Sequence, residues 1–470
     1  MKTRIFALFI FLISIAVTQA QIKVASILGD NMVLQRNTEV KLWGKAAPNQ
    51  KLRIVTDWNK AKSNVVSDEK GNWLIKIKTT EAGGPYTITI ASANEKVILK
   101  NILLGEVWLC SGQSNMEMPL IGSGDQPING SNDFLLNAEN DNIRLFTVKR
   151  NPCNSPQDSC SGKWLLTSAE NVSTFSAVGY LYAKQLQQRL KVPVGIINSS
   201  WSGTRIQPWM SEKTISKFPV SLAQVTPEST PPHQKASATY NGMIAPIVNF
   251  VIKGAIWYQG EGNIGSKEYP ALMEAMVANW RKDFGIGQFP FYFVQIAPYW
   301  YNNSKGINSA IQRDEQLKAS LLIPNCGMIS TMDIGEEKCI HPAEKETVAK
   351  RLAYWAFAET YGIKGISYKS PTYKSMTVKD SVAMISFDNA PNGLSTFGKE
   401  VECFEIAGQD SVFYPAQMNI NAKQVRVWSS QVKVPVAVRY GFCNFPKTSG
   451  YLYNPAGLPV PSFRTDNWAN

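Results

Sequence analysis

The feature that most constrains this chain is a strict alternation, from about residue 101 to 366, between short apolar runs and longer amphipathic ones. LLGEVWLC, VPVGIINSS, VIKGAIWYQ, FYFVQIA and CGMISTMD read as strands. Between and after them, AVGYLYAKQLQQRL, PALMEAMVANWRKDF, NSAIQRDEQLKASLL and AEKETVAKRLAYWAFAETYG carry apolar residues at helical spacing with charges on the opposite side. Strand and helix in alternation imply right-handed crossovers. The expected fold is therefore α/β, a parallel sheet with helices on both faces. In such sheets ligands sit beyond the carboxyl ends of the strands, which directs the search for chemistry to the loops that follow each run.

The flanks have a different period. Residues 21–100 contain VKLWG, KLRIVTD, NWLIKIK and YTITIAS, separated by APNQ, DEKG and AGGP, a pattern of antiparallel strands that predicts a β-sandwich. Scaffolding is its expected role, with carbohydrate binding as the alternative. Residues 367–470 return to short strands, as in TVKDSVAMISFD, QVRVWSS and PVAVRYGF, and predict a second β-rich region. Residues 1–20 place Lys2 and Arg4 before an apolar run from Ile5 to Val17 and end in Thr18-Gln19-Ala20, the pattern of a secretory signal peptide. The run is shorter than the roughly 20 residues that span a bilayer, so cleavage and export to the periplasm or the medium are expected, with no membrane span left afterwards. In an oxidising compartment Cys153 and Cys160, which bracket NSPQDS, are candidates for a disulfide.

Composition limits the chemistry. Two histidines among 470 residues cannot build a multi-histidine metal centre, and the seven cysteines form no C-x-x-C pair, so neither metal nor cofactor is expected. The formal net charge of +12 is spread along the chain without a Lys/Arg tract, so no nucleic-acid partner is expected. Oligomeric state is not legible.

The strand ends carry the chemistry. LLGEVWLC runs into SGQSNMEM and sets Ser114 in a tight turn at a carboxyl edge, where a nucleophile would stand. VGIINSS ends in WSGTRIQPW, where Gly203 offers an unhindered N–H, and GAIWYQ ends in GEGN, which brings Glu261 and Asn263 to the same rim. After GMISTMD comes IGEEKCIHPAEKE, in which His341-Pro342 is expected to open the last helix and hold the imidazole toward that rim. His233, in the Pro-rich stretch near PESTPPH, is the weaker base candidate because no element there fixes it. Each of these residues is an ordinary turn residue on its own. Together, a hydroxyl, an imidazole, a free N–H and a side-chain amide supply what acyl transfer requires.

The blocks GQSNMEM, WSGTRIQPW, WYQGEGN and CIHP, in this order, resemble those of the SGNH hydrolases, and more closely their sialate O-acetylesterase branch; the tail from VRYGF through LYNPAGLPVPSFRTD is similar to the ending of those esterases. The resemblance implies a flavodoxin-like domain that hydrolyses carbohydrate esters through a serine, without a metal. It maps the nucleophile onto Ser114, the base onto His341, and the oxyanion donors onto Gly203 and Asn263. Gln113, Gln259, Trp201 and Arg205 are the expected substrate contacts, Arg205 for a sialic-acid carboxylate and Trp201, with Trp209, Trp257, Tyr258 and Trp300, for a sugar ring. Many SGNH enzymes carry an aspartate two or three residues before the histidine, but Cys339 and Lys338 occupy those positions here. Glu261 is the favoured orienting acid, since a related branch of carbohydrate acetylesterases uses the glutamate of the same QGE motif; Asp333 and a Ser–His dyad are the alternatives. The expected substrate is O-acetylated sialic acid, with acetylated xylan or another plant polysaccharide as alternative. A non-catalytic carbohydrate-binding protein and a thiol enzyme using Cys110 or Cys339 are the rivals from other classes.

Overall fold

The computed structural model describes residues 21–468, so the expected signal peptide lies outside the described residues. Its central sheet is built from β1 (Lys96–Gly112), β2 (Ile143–Thr147), β3 (Trp164–Leu166), β4 (Val194–Ser200), β5 (Gly254–Tyr258), β6 (Phe291–Val294) and β7 (Cys326–Ile329), in the order β3-β2-β4-β1-β5-β6-β7. All neighbours are parallel except β3, which adds antiparallel to β2 at one edge. The sequence reading contained five of these strands. β2 and β3, five and three residues long, are too short to show a period and were not expected.

Both faces of the sheet are covered, which is why its central strands read as unbroken apolar runs rather than as alternation. Val107, Leu109, Ala255 and Trp257 point into one core, with Leu272, Met276 and Trp280 of α3 (Tyr269–Phe284). Trp108, Cys110, Ile256 and Tyr258, one residue out of phase, point into the other, with Leu181 of α2 (Ala177–Leu190) and Val348 and Leu352 of α5 (Lys345–Trp355). Each such large side chain, fully buried, contributes about 1.5–3 kcal/mol. Two further helices are α1 (Ser114–Glu117) and α4 (Asn308–Leu322).

β1 joins two units without a linker. Its first half, through Leu104, pairs antiparallel with the sandwich strand Gly83–Ala91, and from Glu106 and Trp108 onward it pairs with β4 and β5. The boundary expected at residue 100 therefore falls inside one continuous strand. The sandwich packs Leu42 and Ile77 of one sheet on Ile54, Ile88 and Ile90 of the other. The C-terminal region forms two four-stranded sheets around Ile385, Phe404, Val425 and Tyr440. Fully buried Arg313 of α4 ties it to the central layer through Ser462 Oγ (2.9 Å) and the carbonyl of Cys443 (2.6 Å). No described helix is long and apolar enough to cross a membrane.

All seven cysteines are free, so the expected Cys153–Cys160 disulfide is not formed. The two side chains have different neighbours. Cys160 is buried against Ser26 of the sandwich, whereas the Cys153 backbone is bonded to Ala238 and to the Asn241 side chain.

Candidate active site

The chain winds from β1 to β2 and β4 on one side and to β5, β6 and β7 on the other, so the carboxyl end of β1 lies at the topological switch point where a crevice opens. Gly112 ends β1 with φ +137°, and a Cβ there would lie 2.1 Å from Tyr258 O, so no larger residue fits between the converging strands. Gln113 N donates to Tyr258 O (2.9 Å), and Ser114 then begins α1. On the other side Trp201 N bonds Gly112 O (3.0 Å), and Ser202 N donates to Glu117 Oε2 (2.7 Å). The next residue, Gly203 (φ +75°), is thereby held beside α1, and a Cβ there would come no nearer than 3.9 Å to Gln234 Nε2. Among the described residues, neither the Ser114 hydroxyl nor the N–H groups of Ser114 and Gly203 form a hydrogen bond. They are available to a ligand.

Asn115, 1% exposed, binds the converging loops together. Its Nδ2 donates to Glu261 Oε1 (2.7 Å) and to the carbonyl of Ile340 (3.2 Å), the residue before His341; its Oδ1 accepts from Lys345 Nζ (2.5 Å). One carboxamide thus bridges a buried carboxyl and a buried amine, its N–H toward the one and its oxygen toward the other. Lys345 also lies 5.6 Å from the centre of the Tyr258 ring. Burial lowers the Lys345 ammonium to about 7 against the attraction of Glu261, Cys339 and Glu336. Burial raises the Glu261 carboxyl, opposed by its own backbone N–H and by Asn115 and Lys345. Glu261 Oε2 is buried and unpartnered among the described residues.

His341 is half-buried. Its Nδ1 meets Gln126 Oε1 at 2.8 Å, and among the described residues its Nε2 forms no hydrogen bond. Burial first, then the Lys345 charge, lower its imidazole to about 4, with Asp125 pulling the other way. No hydrogen bond joins Ser114 to His341 among the described residues; Asn115 and Ile340 bring their backbones together. Three expectations change here. Pro342 does not open the last helix, because α5 starts at Lys345 after a bend in which Ala343 O accepts from Asn129 N (3.1 Å). Glu261 is bonded to Asn115 rather than to His341. Asp333 is held by the Arg351 guanidinium (2.8 and 2.7 Å) and does not orient the imidazole either.

Of the other expected site residues, two brace the loops. Gln113 Oε1 accepts from Gly262 N (3.1 Å), and fully buried Gln259 donates to Asn263 Oδ1 (2.8 Å) and accepts from the Tyr269 hydroxyl (3.0 Å). Gln259 therefore faces the loops instead of a substrate, and Gln113 commits its oxygen to them. Asn263 Oδ1 also accepts from Ile206 N (2.9 Å) and its Nδ2 donates to Gln207 Oε1 (3.0 Å), which leaves one Nδ2 hydrogen unused. Trp209, Trp257 and Tyr258 are fully buried, so they cannot stack on a sugar.

Trp201 and Trp300 are half-exposed. Trp201 stacks on His233 (centroids 4.9 Å, 13° apart) with the Arg150 guanidinium 5.5 Å from its ring, and Lys338 Nζ lies 2.9 Å from the Trp300 ring. His233, on a one-turn helix Pro232–Gln234, is thus held more firmly than its loop sequence suggests. Arg205 bonds Gln224 Oε1 (3.2 Å) and, among the described residues, has no carboxylate partner. Fully buried Cys110 is raised by desolvation, and Cys339 is raised by burial and donates to Gln126 and to His341 O, so neither is a poised thiolate.

Sequence reasoning missed Asn115, Lys345 and Gln126. Lys345 did leave a signal, because it falls in register with Val348, Ala349 and Leu352 on the apolar side of α5, where a lysine requires a buried partner. Asn115 had only its place in GQSNM, and Gln126 had none.

A carbohydrate esterase family described as sialic acid-specific acetylesterase matches residues 104–356. The human sialate O-acetylesterase is 28% identical to this chain, with 93% of this chain and 91% of the human protein covered; the mouse enzyme is 26% identical, with 93% of each covered. A crystal structure of a carbohydrate acetylesterase from Xanthomonas citri superposes with a TM-score of 0.87 at 33% identity, covering 95% of this chain and 100% of that one.

Proposed function

We propose, from the premise that this chain belongs to the sialic acid-specific acetylesterase family of carbohydrate esterases, that it removes O-acetyl groups from sialic acid with Ser114 as nucleophile and His341 as base. The observation that carries the reading is the junction made by Asn115, which holds the turn bearing a free serine hydroxyl against the loop bearing a free imidazole nitrogen, beside an unoccupied Gly203 N–H. His341 Nε2 takes the hydroxyl proton as Ser114 Oγ bonds to the acetyl carbon. The N–H groups of Ser114 and Gly203 and the remaining Nδ2 hydrogen of Asn263 receive the oxyanion. On collapse the bond to the sugar oxygen breaks and that oxygen leaves with the proton from His341. Water then attacks the acetyl-enzyme, gives its proton to the imidazole, and releases acetate as Ser114 regains its hydrogen. At about 4, the titration of His341 keeps the imidazole neutral, and so able to accept a proton, throughout the neutral range.

The parallel sheet with its nucleophile at the switch point supports a flavodoxin-like SGNH assignment for the central layer. Arg205, whose guanidinium has no carboxylate partner among the described residues, is the group for the sialate carboxylate. The pattern of residues 1–20 supports export.

Acetate release from 9-O-acetyl sialic acid, acetylated xylan and peracetylated xylose, with Ser114→Ala as control, tests the reading. Release is expected first from the sialic acid and not at all from the variant. Preference for xylan would move the enzyme to the polysaccharide class, and sugar binding without hydrolysis would make it a binding protein.

A further inference from the structure

We propose that Gln126, fixed by Asp125, is the positioning residue for His341, so that a carboxamide backed by a carboxylate occupies the place of the triad acid; this rests on His341 being the base. Gln126 Nε2 donates to Asp125 Oδ1 (2.7 Å), which decides the orientation of the amide: only its oxygen is left to face the imidazole. An acceptor 2.8 Å from Nδ1 requires the hydrogen on that nitrogen, and the lone pair is then on Nε2, the nitrogen a base uses. The two carboxylates that the sequence offered for this role are engaged elsewhere, Glu261 with Asn115 and Asp333 with Arg351.

The loop carrying Gln126 is built to hold it there. Ser123 and Gln126 exchange backbone hydrogen bonds (3.1 and 3.0 Å) across a tight turn. The loop is then stapled to the histidine segment, where Asn129 N donates to Ala343 O (3.1 Å) and Asn129 Nδ2 to Glu344 Oε1 (2.6 Å). Cys339 Sγ donates to the same Gln126 oxygen (3.1 Å), and Glu336 Oε1 accepts from Ala343 N (3.0 Å). The charges acting on the ring are Lys345 from α5 and Asp125 from this loop, while Cys339 and Glu336 act on Lys345. With a neutral acceptor at Nδ1, the imidazolium lacks the adjacent anion that a triad acid provides.

Because the chain has two histidines, nitrogen NMR of the imidazoles, assigned with a His233→Gln variant, reports the tautomer of His341 directly. The parent is expected to hold the hydrogen on Nδ1, and Gln126→Ala to give a mixture. On an activated acetyl ester, Gln126→Ala should lower kcat by about 10²-fold, in the range for a misdirected general base, with KM nearly unchanged. Gln126→Glu should restore turnover to within about tenfold and move the acid limb of kcat/KM upward by about one pH unit, because its carboxylate stabilises the imidazolium. Gln126 is half-exposed, so neither variant should fail to fold. Parental kcat, acid limb and tautomer in Gln126→Ala, beside an inactive His341→Ala, would overturn the assignment of Gln126 alone. Full activity in His341→Ala would overturn the reading of the base on which it rests.

Discussion

The two halves of the candidate site are held in different ways. The nucleophile turn follows a strand buried on both faces; Gln113 and Asn115 on either side of Ser114 are 4% and 1% exposed, and the turn is held by that burial together with the bonds of Asn115 to Glu261, Lys345 and Ile340. The histidine segment, from Glu336 to Glu344, has no regular structure and is mostly half-exposed. It is positioned by side-chain bonds from Gln126, Asn129 and Asn115. Burial around a buried polar junction fixes the group that must receive the acetyl carbon, and polar staples on a half-exposed segment fix the group that must move a proton. The nucleophile half should therefore respond through rate at Ser114 itself and through stability at the buried groups around it, and the histidine half through protonation and orientation.

Ser114→Ala should give the largest effect, a fall of about 10⁴-fold or more in kcat on an activated acetyl ester with thermal stability unchanged, measured by steady-state kinetics and a melting curve. Lys345→Met should damage the other property. It leaves Glu261 and Asn115 Oδ1 buried without their cation, and removing one partner of a buried charge network costs about 3–5 kcal/mol. Urea unfolding would measure this, and Lys345→Met with Glu261→Gln should cost less than the sum of the two single changes. Strict additivity would show that Asn115 transmits nothing between them. Asn263→Ala should lower kcat by about 10²–10³-fold if its free Nδ2 hydrogen serves the oxyanion, and near-normal turnover would reduce it to a loop brace.

The same contrast explains what the sequence could disclose. The α2 and α4 segments matched their helices end to end, because apolar periodicity over 14 and 15 residues is a local property. Ser114, Gly203 and Glu261 were placed on one rim because each follows a strand directly. The partners of His341 were not legible, since Gln126 is 215 residues away and meets it through a single side-chain bond with no periodic trace. The expected domain boundary failed for a related reason: β1 is buried without a break from Ile102 to Gly112, and no turn or linker marks where it leaves one sheet for another.

The acid limb of the pH profile reports the histidine half alone. Because the imidazole is lowered to about 4, kcat/KM should stay level as pH falls from neutrality to about 5 and drop as His341 takes a proton near 4. A limb near 6.5 would mean that the ring is more open to water than its packing suggests.

The smallest effect is expected at the rim between the two halves. Trp201 is tied to the nucleophile side through Gly112 O and carries His233 and Arg150 on its ring, with Arg150 in turn paired to Glu117 of α1 (2.7 Å). Replacing it with alanine removes the surface that orders the His233 ring and the Arg150 guanidinium but touches neither Ser114 nor His341. The loss should therefore appear in binding, as a rise of about fivefold in KM for an acetylated sugar, equivalent to about 1 kcal/mol of aromatic contact, with kcat nearly unchanged. A fall in kcat with constant KM would instead mean that Trp201 supports Gly203 and that the rim belongs mechanically to the oxyanion pocket.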